Sequence, residues 1–177
     1  TNLYVVDSGN HTIRIIDTNG TVSVFAGTTG TQGTNTGVGT AAEFDTPWGI
    51  VVDSQTNIFV TDSGSHTIRL INPLTTNVTD FAGAPTVSGT TDNAGPLARL
   101  NNPRGIAIDS FDRIYVADTG NHIIRSVNTN GGITNFAGMP TTSGSANGTG
   151  TAASFNAPQG IAVSGGGTVY VADTGNH

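Results

Sequence analysis

Cysteine and lysine are absent from this chain, and glutamate, methionine and tryptophan occur once each, as Glu43, Met139 and Trp48. Without cysteine there is no disulfide scaffold, no cysteine-ligated zinc and no thiol nucleophile. The six cations are all arginines, set against twelve acids for a formal net charge of −6, and only 10% of residues are charged. Such a balance repels phosphate backbones, which makes nucleic acid and anionic membrane surfaces poor partners. No apolar run approaches the roughly 18 residues of a spanning helix, so membrane insertion by that route is excluded.

What the sequence does contain is 25 glycines, 29 threonines and many asparagines in 177 residues. These favour strands joined by many turns, and the expected class is all-β. A hydrophobic share of 35% is enough for a patterned core. The lysine-free, Thr/Asn/Gly-rich acidic composition reads as that of a secreted or cell-surface protein. The chain begins at Thr1 without an initiator methionine or signal segment and stops at His177 inside a recurring motif, so it is read as a fragment of a longer protein.

That motif is the main feature of the sequence. Tyr4-Val5-Val6-Asp7-Ser8-Gly9-Asn10-His11 returns as Phe59 to His66, Tyr115 to His122 and Tyr170 to His177, so that the four histidines of the chain stand 55, 56 and 55 residues apart. Phe-Ala-Gly at 25–27, 81–83 and 136–138 keeps the same period, as does Pro-x-Gly-Ile at 47–50, 103–106 and 158–161. The repeat divides the chain into units 1–55, 56–111 and 112–166 and a partial unit 167–177, in one array.

Each unit holds four short β-like runs with turn signals between them, such as Asp-Ser-Gly-Ser at 62–65 and Asn-Gly at 19–20 and 130–131. A four-stranded meander at a period of tens of residues is the mark of a β-propeller blade. The runs Ile50-Val51-Val52, Ile106-Ala107-Ile108 and Ile161-Ala162-Val163 are continuous and apolar, as expected of innermost strands covered on both faces. Thr67-Ile68-Arg69-Leu70 alternates, as expected nearer the outside.

Pro-x-Gly-Ile-x-Val-Asp followed by Tyr-Val-x-Asp-x-Gly-Asn-His-x-Ile-Arg resembles the NHL repeat of six-bladed and related propellers, over the whole chain. The resemblance implies an all-β propeller of four-stranded antiparallel blades, here about three blades of a ring of roughly six. The period of about 55 residues exceeds the usual 40 to 45. The excess lies in insertions at 26–46, 82–102 and 137–157, and arrays of this kind resemble those of large bacterial extracellular proteins. In such a fold the Pro-x-Gly-Ile strand is innermost, and the histidine turns and the insertions emerge on one face.

Four histidines raise the question of a metal. Each belongs to a different blade, and ligands of one zinc must stand about 2.0 to 2.1 Å from it, so neither a metal site nor any cofactor is expected. Asp7, Asp62, Asp118 and Asp173 are expected to accept hydrogen bonds from the amides of their own turns, with His11, His66, His122 and His177 completing the hairpins. Arg14, Arg69 and Arg125 share one repeat position and are expected to make polar contacts between blades, with those aspartates as candidates. No asymmetric catalytic constellation is visible, and no catalytic residue is assigned. An NHL-like branch of amidating lyases holds zinc and calcium through channel histidines that have no residue-by-residue counterpart here.

Where the units disagree is more informative. Between proline and glycine, at the expected channel mouth, they place Trp48, Arg104 and Gln159. Tryptophan and arginine are the residue types that most often anchor interfaces. The insertions, though low in complexity, each close on an apolar anchor, Phe44, Leu100 or Phe155, expected to plug the space between blades. The function expected is a non-catalytic binding or scaffolding module that engages protein or glycan through the loop-rich face. Further blades from the same or another chain are expected to complete the ring. The alternative is a metal-dependent propeller enzyme, lyase or lactonase-like, whose channel site lies partly outside this chain.

Overall fold

The computed structural model describes residues 2–177. Four antiparallel sheets follow one another along the chain. The first holds β1 (Leu3–Asp7), β2 (Thr12–Ile16) and β3 (Val22–Ala26). In the second, β5 (Pro47–Val52), β6 (Ile58–Asp62), β7 (Thr67–Ile71) and β8 (Asn77–Ala82) form a meander, and β4 (Gly37–Val38) pairs on its outer edge. The third repeats this with β10 (Pro103–Ile108), β11 (Ile114–Asp118), β12 (Ile123–Val127), β13 (Gly132–Ala137) and β9 (Asn93–Ala94), and the fourth holds β14 (Gly160–Val163) and β15 (Val169–Ala172). Helical structure among the described residues is confined to three-residue turns, and none is long or apolar enough to cross a membrane.

The sheets are therefore the blades the period implies, with one addition. The insertions 26–46 and 82–102 each leave one blade, lay a two-residue strand on the outermost strand of the next and then run inward to that blade's innermost strand. Two apolar clusters fill the spaces between blades. Phe44 is fully buried among Ile13 and Ala26 of the first blade and Ile58, Val60, Ile71 and Val78 of the second. Leu100 does the same between Ile68 and Ala82 of the second and Ile106, Val116 and Ile133 of the third. The insertions 26–46 and 82–102 are thus inter-blade plugs, as Phe44 and Leu100 imply, whereas Phe155 is only half-buried and belongs to neither cluster.

Two expectations about burial are corrected. The strands buried along their whole length are the second ones, β6 and β11, whereas the innermost β5 keeps Trp48 and Val52 exposed, because one side of an innermost strand borders the axis. The third strands β7 and β12 do not alternate in exposure, since the insertion covers even their arginines; β8, on the outside, carries the uneven pattern.

Glycine is required where successive blades touch. A Cβ on Gly49 would stand 2.8 Å from the Arg104 carbonyl oxygen, and one on Gly105 would collide with the carbonyl of Gln159. The glycine of Pro-x-Gly-Ile therefore sets how closely innermost strands approach.

Candidate binding rim

The frame around the rim is built from the repeated turn residues. His11, His66 and His122 each adopt the left-handed conformation, with φ of 57°, 62° and 60°, at the end of the turn between the second and third strands. The Nδ1 of each accepts a hydrogen bond from a backbone amide at the start of the following blade: His11 from Thr46 at 3.2 Å, His66 from Asn102 at 3.1 Å and His122 from Ala157 at 3.0 Å. Beside them, the hydroxyls of Ser8, Ser63 and Thr119 donate to the carbonyls of Pro47, Pro103 and Pro158. Histidine thus closes its own hairpin and joins blades at the same time. The hydroxyl contact escaped sequence reasoning because its partner lies some 40 residues away.

The aspartates do not cap the amides of their own turns, which corrects the Asx-turn expectation. Asp62, Asp118 and Asp173 instead accept the amides of Asp45, Asn101 and Asn156, each 17 residues earlier in an insertion, all at 2.7 Å. Asp7, Asp118 and Asp173 also accept from the side-chain amides of Asn10, Asn121 and Asn176. Asx caps do occur, at the opposite ends of the strands, where Asp17, Asp53, Asp109 and Asn128 hold the other hairpins.

The arginines reach their own blade's aspartate and the covering insertion rather than the strands of a neighbouring blade. Arg14 pairs with Asp7 at 3.1 Å, and fully buried Arg69 with Asp62 at 3.2 Å. Arg69 also donates to the carbonyls of Asn35 and Glu43, and its Nε lies 2.9 Å from Asp80 at an angle short of a hydrogen bond. Arg125, equally buried, repeats this with Thr90, Thr91 and Asp92, and stands 3.9 Å from Asp118. A bulge between Ile68 and Arg69 brings Asp80 across from Arg69. Burial pushes Asp62 and Asp118 up to about 7, against the hydrogen bonds and arginine charges that lower them. With two carboxylates around one guanidinium, one of them can stay protonated without leaving the cation unpaired. At half-buried Asp7 the hydrogen bond from Asn10 prevails and the value is lowered.

On this frame sit the three residues where the units disagree. Pro47 pairs with Asp62 and Gly49 with Thr61, so Trp48 is the extra residue of a β-bulge at the start of β5. Arg104 lies in the same irregularity of β10, between Pro103 and Ile106. Bulges re-aim side chains out of the strand's alternation. Here they bring neighbours together: the guanidinium carbon of Arg104 stands 4.4 Å from the centre of the Trp48 ring, and Trp48 remains 43% exposed. Gln159, half-buried, precedes β14 and donates its backbone N–H to Ala172. The backbone beneath is fixed, since Thr61 donates its hydroxyl to the Arg104 carbonyl. Ion pairs among the described residues all belong to Arg14, Arg69 and Arg125, so the Arg104 charge has no carboxylate partner there. No cluster of three metal-ligating side chains occurs among the described residues, and His11, His66 and His122 each commit one ring nitrogen to a backbone amide.

Successive meanders with innermost strands side by side and apolar plugs between them define an array of β-propeller blades. Residues 44–69, 100–125 and 155–177 each match the family model of the NHL repeat, from the apolar anchor through the arginine or the last histidine. The chain belongs to the NHL-repeat β-propeller family. NHL repeat-containing protein 2 of Homo sapiens is 32% identical over 132 residues, covering 70% of this chain and 18% of that protein. Protein SUPPRESSOR OF QUENCHING 1, chloroplastic, of Arabidopsis thaliana is 32% identical over 137 residues, 73% of this chain and 13% of that protein.

Among solved structures, an auxiliary nutrient binding protein from Bacteroides thetaiotaomicron superposes with a TM-score of 0.76 at 21% identity, over 99% of this chain and 43% of that one. Virginiamycin B lyase from Staphylococcus aureus superposes with a TM-score of 0.64 at 15% identity, over 97% of this chain and 45% of that one. These likenesses show the fold alone. The chain spans less than half the length of each of these proteins.

Proposed function

We propose that this chain is a non-catalytic binding module of a secreted or cell-surface protein, engaging protein or glycan at the loop-rich face around Trp48, Arg104 and Gln159. The observation that carries the reading is the Trp48–Arg104 pair on adjacent bulges. Repeat positions that hold the fold converge on one residue type, as aspartate, histidine and arginine do; this position diverges in chemistry while its backbone is kept. A solved propeller of similar fold is a nutrient binding protein, which accords with a binding role. The histidines accord with scaffolding rather than metal chemistry, since each is engaged in joining one blade to the next.

The test is binding of the chain to an array of glycans and to a panel of purified extracellular proteins, repeated with Trp48→Ala/Arg104→Ala. The reading expects at least one partner whose binding falls roughly thirtyfold in the double variant at unchanged melting temperature. Partners bound equally well by parent and variant would refute the rim as the site.

A further inference from the structure

Resting on that reading, the geometry points to a carboxylated saccharide, a uronic acid residue within a glycan, as the ligand of the Trp48–Arg104–Gln159 rim. The set supplies one cation without a carboxylate partner among the described residues, one exposed indole and one amide, on three successive blades. A guanidinium held over an indole is fixed in orientation while the N–H groups along its edge stay available, and that edge matches a carboxylate in bidentate geometry. The exposed remainder of the indole offers an apolar surface to the C–H groups of a sugar ring. Gln159 adds a donor and an acceptor suited to hydroxyls.

Charge separates this ligand from an acidic peptide. The chain carries a net charge of −6 and the rim holds a single cation, Arg104, so a segment with several carboxylates has one of them paired there and the others set against the negative field of the chain. A sugar with one carboxylate places its charge on the one cation and presents neutral hydroxyls to the Thr- and Asn-rich loops beside it. Both neighbouring template arginines, Arg69 and Arg125, are fully buried and already paired, so neither competes for the anion.

Trp48 is the only tryptophan of the chain, which makes intrinsic fluorescence a direct reporter of the rim. The experiment titrates the full chain with a galactose trisaccharide bearing a single galacturonate residue, with its neutral counterpart trigalactose and with a short aspartate-rich peptide, following Trp48 emission and the heat of binding together. The expected result is saturable binding of the monouronate trisaccharide only. That binding should weaken with salt, fall roughly thirtyfold in Arg104→Ala and recover partly in Arg104→Lys. Binding of trigalactose at equal affinity, or of the monouronate trisaccharide unaffected by Arg104→Ala, overturns the inference. So does binding of the peptide alone, or of none of the three. The failures are distinguishable: a rim that binds peptide or neutral sugar through Trp48 keeps the binding module and loses only the uronate, whereas array partners indifferent to Trp48→Ala remove the rim itself.

Discussion

Arg69 shows how one side chain can hold a long insertion in place. Fully buried, it joins Asp62 and Asp80 of its own blade to the carbonyls of Asn35 and Glu43 in the incoming connection. Removing one partner of a buried ion pair leaves uncompensated charge. Arg69→Met is therefore expected to cost about 3–5 kcal/mol in denaturant unfolding and to expose residues 27–46 to proteolysis. The buried aspartates carry a pH signature as well. Asp62 and Asp118 lie near 7 in the fold against 3.8 for the ordinary group, so they bind protons more tightly folded than unfolded. Their contribution to stability is full in acid and is lost as pH rises through about 7. His66 has the opposite sign: burial lowers it below 6.5 against the pull of Asp45, so its contribution holds above 6.5 and is lost as pH falls beneath that value. In Asp62→Asn/Asp118→Asn the carboxylates are permanently neutral. Its melting temperature relative to the parent is expected to climb as pH is raised from about 3.8 to above 7, and a difference that stays constant would contradict this assignment.

At the scale of strands and connections, close approach of innermost strands is the strictest demand. Gly105→Ala places a methyl group on the backbone of Gln159 in the next blade, where neither partner can turn aside. A loss of about 1–3 kcal/mol or more is expected, against a few tenths for Gly9→Ala, where nothing lies within 4 Å of a Cβ and the backbone is not left-handed; both are measurable by chemical denaturation. The meander strands were legible because their period, their apolar runs and their Asn-Gly turns agreed. The outer strands β4 and β9 were not, being Gly37-Val38 and Asn93-Ala94, too short and too poor in β-formers to signal pairing with partners about 40 residues on. For the same reason the aspartate partners were misjudged: a local turn was the only partner visible in sequence, while the real one sits 17 residues back in an insertion. The plugs Phe44 and Leu100 were readable, since an apolar residue at a fixed distance before each Pro-x-Gly stands out from a Gly/Thr background. Trp48 and Arg104 could be singled out from their divergence, but their stacking depended on two bulges that no local pattern announced.

Across the whole molecule, labour is divided between positions that repeat and positions that do not. Repeated residues join blade to blade: histidine to amide, hydroxyl to proline carbonyl, apolar anchor to both neighbours. Ile106 belongs to this set, 8% exposed between the second and third blades, and Ile106→Ala is expected to cost about 2–5 kcal/mol. Trp48 and Arg104 do not belong to it, and their mutual stacking contributes on the order of 0.5–1 kcal/mol at an exposed site. The most direct measurement sets the two kinds of position side by side in one experiment: thermal melts and rim-ligand titrations of Ile106→Ala and of Trp48→Ala/Arg104→Ala against the parent. The account expects Ile106→Ala to melt well below the parent while its folded fraction still binds, and the double variant to melt within a few degrees of the parent while affinity falls roughly thirtyfold. A double variant that unfolds the blades, or one that binds as the parent does, would show that these two residues belong to the frame and not to recognition.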